Sequence, residues 1–144
     1  RGRTAAVLGT PLSFPWPPEN AMLYEEIVAT GLALSEAPQA EGRRFDPNER
    51  MRSLKHRNRI VAALGTGTLV MAAAPGSSTL IEVDYALGLR RPVILWHECA
   101  NEPWAKELLA RDLRDGDGRA LVAVARDAVE VEEILSPWSR VWWL

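Results

Sequence analysis

Short apolar runs alternate with stretches of helical spacing along the whole chain. Residues 4–9 (TAAVLG) predict a buried strand, and a Pro-rich loop follows through Pro18. Glu19 and Asn20 precede a predicted helix over 21–30. Met22, Leu23, Ile27 and Val28 share one side of it, and Gly31 is its stop. A short strand over 32–35 comes next, then a loop over 37–48 with Pro, Gly and Arg and no periodicity. Met51, Leu54, Ile60, Val61 and Leu64 make the apolar face of a helix over 49–64. Residues 68–73 (TLVMAA) read as a continuous buried strand of the parallel-sheet kind. The small-residue loop Ala74-Pro75-Gly76-Ser77-Ser78 then leads into a helix over 79–87. A strand over 92–96 (PVILW), a helix over 102–113, a DGDG turn, a strand over 120–125 and an acidic helix to Leu135 complete the pattern.

This alternation predicts an α/β fold: a Rossmann-like three-layer sandwich with a mostly parallel sheet of about five strands. Ligands of such folds sit at the carboxyl ends of the strands, so the loops after Gly9, Ser35, Ala73 and Trp96 are where a site is expected. A chain of 144 residues, 47% hydrophobic and 25% charged, is expected to form a single domain over 1–144. Its apolar runs fall far short of the ~20 residues of a membrane span, and no basic-then-apolar leader opens it, so a cytoplasmic location is expected. Cys99 is the one cysteine, with only His56 and His97 beside it. That excludes an intrachain disulfide framework and a Cys-based zinc cluster, and no metal or cofactor is expected.

The net charge of -2 hides an asymmetry. Six arginines and Lys55 stand against Asp46 and Glu49 between residues 43 and 59, a net +5 that leaves -7 on the rest. One basic segment on an acidic body is a local anion footprint, and arginine's planar fork suits phosphate. Phe45 is the only aromatic among these cations, so they are expected to contact phosphate rather than stack on bases.

Gly76 lets a backbone approach a ligand closely. Ser77, Ser78 and Thr79 add hydroxyls at the positive end of the next helix, a combination that suits phosphate. Ser and Thr also cap helices that bind nothing, and the loop is neither a Walker A motif nor a GxGxxG fingerprint, so both readings stay open. Glu82 falls one turn later, where it could reach a seated ligand or only complement the dipole; Asp84 is a weaker candidate of the same kind. Arg57 and Arg59 lie about 200° apart on a helix, so one can hold a ligand while the other braces a neighbouring loop. His97, Glu98 and Cys99 follow a strand exit without the spacing of a known dyad. Trp138, Trp142 and Trp143 suit packing on the body or on a partner subunit.

Two stretches together resemble one family. RGRTAAVLGTPLSFPWPPENAMLYEEIVATGLALSE is similar to the middle of the DNA-processing protein A (DprA/Smf) family. Its members carry a Gly-Lys/Arg-Thr lead into an AVLG strand, a Tyr-Pro-x-Glu-Asn-like element and a Gly-x-x-x-Ser-Glu close. HRNRIVAALGTGTLVMAAAPGSSTLIEVDYALGLRRPVILW resembles the family's Arg-Asn-Arg-Ile-Ile helix, buried strand, Ser-Gly-Ser/Thr-Leu loop and exit strand. The resemblance implies an extended Rossmann domain that binds single-stranded DNA or a nucleotide and helps load a recombinase. It places Arg57, Asn58, Arg59, Gly76, Ser77, Ser78 and Thr79 in a phosphate pocket. The family's Gly-rich phosphate loop and Ser-Gly-x-Ala-x-Gly-Ile-Asp motif, which precede the opening strand, are not in this sequence. Without them the 4–9 strand is expected to sit near an uncovered sheet edge, and a homo-oligomer is expected. Leu54 stands where the family tends to carry an aromatic residue, and Glu82 where it usually has a non-acidic one.

Glu82 links the chain to a wider superfamily. Lysine decarboxylase-like (LOG) phosphoribohydrolases carry Pro-Gly-Gly-x-Gly-Thr-x-x-Glu after a buried strand, which the residues from Pro75 to Glu82 approximate. Nucleoside deoxyribosyltransferases have an Ala-Leu-Gly-x-x-x-Pro-Val stretch like that from Ala86 to Val93. The alternative to a DNA or nucleotide binder is therefore an enzyme that cleaves a nucleotide's N-glycosidic bond with Glu82.

Overall fold

The computed structural model describes residues 4–38 and 46–139. Arg43, Arg44 and Phe45 of the basic segment, and Trp142 and Trp143, lie outside the described residues. The chain divides into two compact units, Arg1–Val61 and Ala62–Leu144.

In the first unit, β1 (Ala5–Leu8) pairs in parallel with β2 (Leu32–Ser35), Ala5 opposite Leu32 and Leu8 opposite Ser35. Between them the chain passes through a 3-10 turn at Pro18–Asn20 and helix α1 (Ala21–Thr30). Gly31 follows that helix, and close packing calls for glycine there, since a Cβ would clash with the Thr4 carbonyl oxygen. The Tyr24 hydroxyl ties α1 to the loop after β1 by donating to the Leu12 carbonyl at 3.0 Å. Met22, Leu23 and Val28 of α1 are exposed, so the apolar side read in the sequence is left largely uncovered by the described residues. Helix α2 (Pro47–Leu64) carries most of the basic segment. It approaches the exit of β1 so closely that a Cβ on Gly9 would stand 2.9 Å from Leu54 Cδ2 and 3.0 Å from its Cα.

The second unit contains β3 (Thr68–Val70), α3 (Ser78–Gly88), β4 (Val93–Trp96), a 3-10 turn at Cys99–Asn101, α4 (Pro103–Ala110), β5 (Val122–Ala125) and α5 (Ala128–Ser139). Its three strands are all parallel, in the order β3-β4-β5. Val93, Ile94 and Leu95 of the central strand are wholly buried, which accounts for the unbroken apolar run in the sequence. Val70, Val83, Ala86, Ala105 and Leu108 pack into the same core from β3, α3 and α4.

The α/β, Rossmann-like alternation and the parallel strands agree with the sequence. The single sheet of about five strands does not form: the strands make one sheet of two and one of three. The predicted 68–73 strand keeps the ladder only through Val70. Beyond that point its carbonyl groups serve side chains instead. Cys99 Sγ donates to the Val70 oxygen at 3.3 Å and Trp104 Nε1 to the Ala73 oxygen at 3.1 Å. The predicted 102–113 helix stops at Ala110, because Asp112 takes a left-handed backbone (φ 42°) and the Leu113 oxygen accepts from the Leu121 N–H at 2.8 Å. Helix α2 starts at Pro47, inside the predicted loop, since proline suits a first helical turn.

The DGDG turn is held from within. Asp115 accepts from the backbone N–H groups of Asp117 and Arg119 and from Arg119 Nε at 2.7 Å. The Arg119 guanidinium lies 4.4 Å from the Trp138 ring centroid, joining the turn to α5. Desolvation raises the Asp115 pKa, but the Arg119 and Asp117 hydrogen bonds and the Arg119 charge outweigh it and hold the carboxyl below its ordinary 3.8. A depressed carboxylate stabilises the fold fully above its unfolded value, and that contribution fades as pH falls through the folded one. Asp115→Asn should therefore be less stable at neutral pH and lose less stability than the wild type on acidification. Parallel acid limbs in thermal melts of the two proteins would refute this. Gly9→Ala should destabilise the first unit by about 1–3 kcal/mol through overpacking on Leu54, read as a lower urea midpoint.

Candidate functional site

Two clefts open at strand exits, one in each unit. The first, of about 460 Å³, is bounded by Leu8 and Gly9 at the end of β1, by Glu36, Ala37 and Pro38 after β2, and by α2. The helix contributes Glu49, Arg52, Ser53, His56, Arg57 and Ile60. Their spacing of three and four residues puts them on one helical face. Arg52 and His56 are exposed, while Arg57 is half-buried. Parallel strand ends and a basic helix face thus converge where the fold class expects a ligand.

Bonds inside the unit fix the Arg57 guanidinium. Its Nη1 donates to the Val7 carbonyl at 2.5 Å and its Nε to Asn58 Oδ1 at 3.2 Å. Those bonds use only part of its five-donor fork. Asn58 is buried and helps to orient Arg57. Arg59 points elsewhere: its Nη2 pairs with Glu36 Oε1 just past β2, and it does not line the cleft. The helical offset between the two arginines thus separates a cleft-lining residue from one braced on a loop.

The second cleft, of about 580 Å³, lies between the chain leaving β3 and the turn after β4. Met71, Ala72, Ala73, Ala74 and Pro75 line one side, and Glu98, Cys99 and Glu102 the other. Among the described residues lining it there is no cation. The loop carrying Gly76 adjoins this cleft. Gly76 has φ 74° and a Cβ there would meet nothing within 4 Å, so backbone conformation rather than space calls for glycine. Ser77 stands at the N-cap of α3 but makes no capping bond, and its buried hydroxyl has no partner among the described residues. Ser78 is exposed and Thr79 half-buried. Glu82 is half-buried in α3 and is not among the described residues lining the second cleft.

Cys99 is buried, and burial pushes its thiol pKa up. A protonated thiol that donates to the Val70 carbonyl packs the core rather than attacking a substrate. His97 is exposed, its ring centroid 5.3 Å from that of Trp96. Among the described residues no group of three or more His, Cys, Asp and Glu side chains could hold a metal ion. No helix among them is long and apolar enough to cross a membrane.

Sequence reasoning placed Arg57, Asn58 and Arg59 on one basic helix but did not single out Arg52, Ser53 and His56. Helical spacing counted back from Ile60 by three, four, seven and eight residues reaches Arg57, His56, Ser53 and Arg52. Glu36 carries no local signal in the sequence beyond its place at the end of the Ser-Glu close. Arg57, Asn58 and Arg59 belong to the first unit, and Gly76, Ser77, Ser78, Thr79 and Glu82 to the second.

Comparison with known proteins bears on both units. The sequence matches the family model described as DNA recombination-mediator protein A over residues 1–116. Protein Smf of Synechocystis sp. is 44% identical over 92 residues, a stretch that covers 64% of this chain and 22% of that protein. The chain therefore spans less than a quarter of the relative's length. The basic helix, the strand exits facing it and the 76–79 loop all fall inside the residues the family model covers, and the chain belongs to the DNA recombination-mediator protein A (DprA/Smf) family.

Proposed function

We propose that this chain binds single-stranded DNA or a nucleotide without catalysis, holding backbone phosphate chiefly in the cleft of the first unit. The observation that carries this reading is the meeting of Arg52, His56 and Arg57 with the exits of two parallel strands. Arg57 is preorganised by its bonds to Val7 and Asn58, which lowers the ordering cost of a phosphate contact. Gly76, Ser77, Ser78 and Thr79 supply a second phosphate contact at the start of α3, where the helix dipole favours an anion. The neighbouring Glu98 and Glu102 would repel phosphate, so that contact stays at the helix end, outside the second cleft. Family membership supports a part in DNA processing, with a recombinase as a candidate protein partner. Exposed Met22, Leu23 and Val28 support self-association.

Arg52→Ala tests the cleft cleanly, because the side chain is exposed. Fluorescence anisotropy with an oligo-dT should show binding weakened about tenfold, the scale of one charge-assisted hydrogen bond. The slope of log K against log salt should become shallower by about 0.7, one phosphate contact on a single strand. Arg57→Ala should weaken binding at least as much and Arg59→Ala measurably. Affinity insensitive to all three would remove the reading.

Glu82 separates a binder from the alternative enzyme. A glycosidic-bond enzyme needs a carboxylate at the sugar, and a phosphate-binding pocket does not. Glu82→Gln should leave oligo-dT affinity unchanged or slightly improved, and the wild type should release no free base from nucleoside monophosphates. Base release by the wild type that disappears in Glu82→Gln would establish the enzyme instead.

A further inference from the structure

The Ser-Glu close of β2 builds a specific device at the rim of the basic cleft. Ser35 Oγ donates to the Thr10 carbonyl at 2.7 Å and accepts from the Ala37 N–H at 3.0 Å. The two bonds tie the exit of β2 to the exit of β1 and fix the turn that carries Glu36. From that turn Glu36 lines the cleft and holds Arg59, which does not itself line it. Glu36, like Glu49, is an unexpected wall for an anion site, since a carboxylate repels the ligand. Its place here is explained if it occupies a position that a phosphate takes.

We propose that Glu36 is an internal competitor that sets the affinity of this cleft: a backbone phosphate displaces its carboxylate and takes over Arg59. The inference rests on the reading of the cleft as a phosphate site. The exchange is feasible because the pair is open to solvent, with side chains 49% and 46% exposed, and such pairs are weakly held. Charge is conserved, as one carboxylate–guanidinium pair is replaced by one phosphate–guanidinium pair and the carboxylate turns to water. Until then Glu36 keeps Arg59 paired at the rim of the cleft rather than free in solvent. Arg57 and Arg59 lie about 200° apart on α2, so one phosphate cannot serve both. The exchange therefore suits a ligand with successive phosphates along a strand.

The test measures anisotropy with an oligo-dT of about 16 nucleotides over a salt series for the wild type, Glu36→Gln, Arg59→Ala and the double variant. Glu36→Gln should bind roughly threefold to fivefold tighter at low salt, the scale of one exposed charge pair. Arg59→Ala should bind more weakly than the wild type, with a salt slope shallower by about 0.7. The gain from Glu36→Gln should vanish in the Arg59→Ala background, because there is then no guanidinium to release. A gain of equal size in that background would overturn the exchange and leave simple repulsion by the carboxylate. Unchanged or weaker binding by Glu36→Gln, with an unchanged melting temperature, would overturn the proposal while leaving the cleft's function intact. If Glu36→Gln is also less stable, Glu36→Ala must reproduce the tighter binding, and its failure to do so counts equally against the exchange. Absence of oligo-dT binding by every variant would overturn both this inference and the reading beneath it.

Discussion

Leu54 comes so close to Gly9 that no side chain could stand between them, and one helical turn later Arg57 reaches the carbonyl of Val7. The basic cleft depends on this seating of α2 against the exit of β1. A helix displaced by the width of a methyl group would lose the Val7 bond and carry Arg52 and His56 away from the strand ends. Ser35 completes the arrangement by joining the β2 exit to Thr10. Three elements distant in sequence are thus held at one place by one steric fit and two hydrogen bonds to backbone carbonyls. The guanidinium of Arg57 serves structure through Val7, and in the proposed reading it serves recognition as well.

The two clefts share a position in the fold and differ in chemistry. Both open where parallel strands end, as alternating α/β chains require. Arg52, His56 and Arg57 line the first beside Glu36 and Glu49, whereas residues 71–75, Glu98, Cys99 and Glu102 line the second with no cation among them. The charge asymmetry of the sequence, one basic segment on an acidic body, is therefore carried into the walls of the sites. In the proposed reading an anion finds Arg52 and Arg57 in the first cleft, and beside the second only the start of α3.

Much of this was legible in the sequence. The strand and helix alternation, the strand-exit rule and the basic segment come from periodicity and charge alone. The division into two sheets was not legible, because periodicity marks strands and not which strands pair; nor was the early end of β3, because the run through Met71, Ala72 and Ala73 looks like uninterrupted strand. There the carbonyls of Val70 and Ala73 accept from side-chain donors far away in sequence, Cys99 and Trp104. Likewise Gly9 reads as the end of a strand, and only the approach of Leu54 reveals its steric role. The Glu36–Arg59 pair spans two elements that no local pattern connects.

Cys99 has a consequence beyond packing. It is the single thiol of the sequence, it is buried, and it belongs to the second unit. Cys99 touches the second cleft but is only 5% exposed, so a thiol-specific reagent modifies it fast only as that core opens, and the rate reports the local opening equilibrium of the second unit. Because the first unit has no thiol, loosening around the basic cleft is silent to the same reagent. The molecule thus carries a built-in chemical gauge of cooperativity, able to distinguish a chain that unfolds as one body from one whose units open separately.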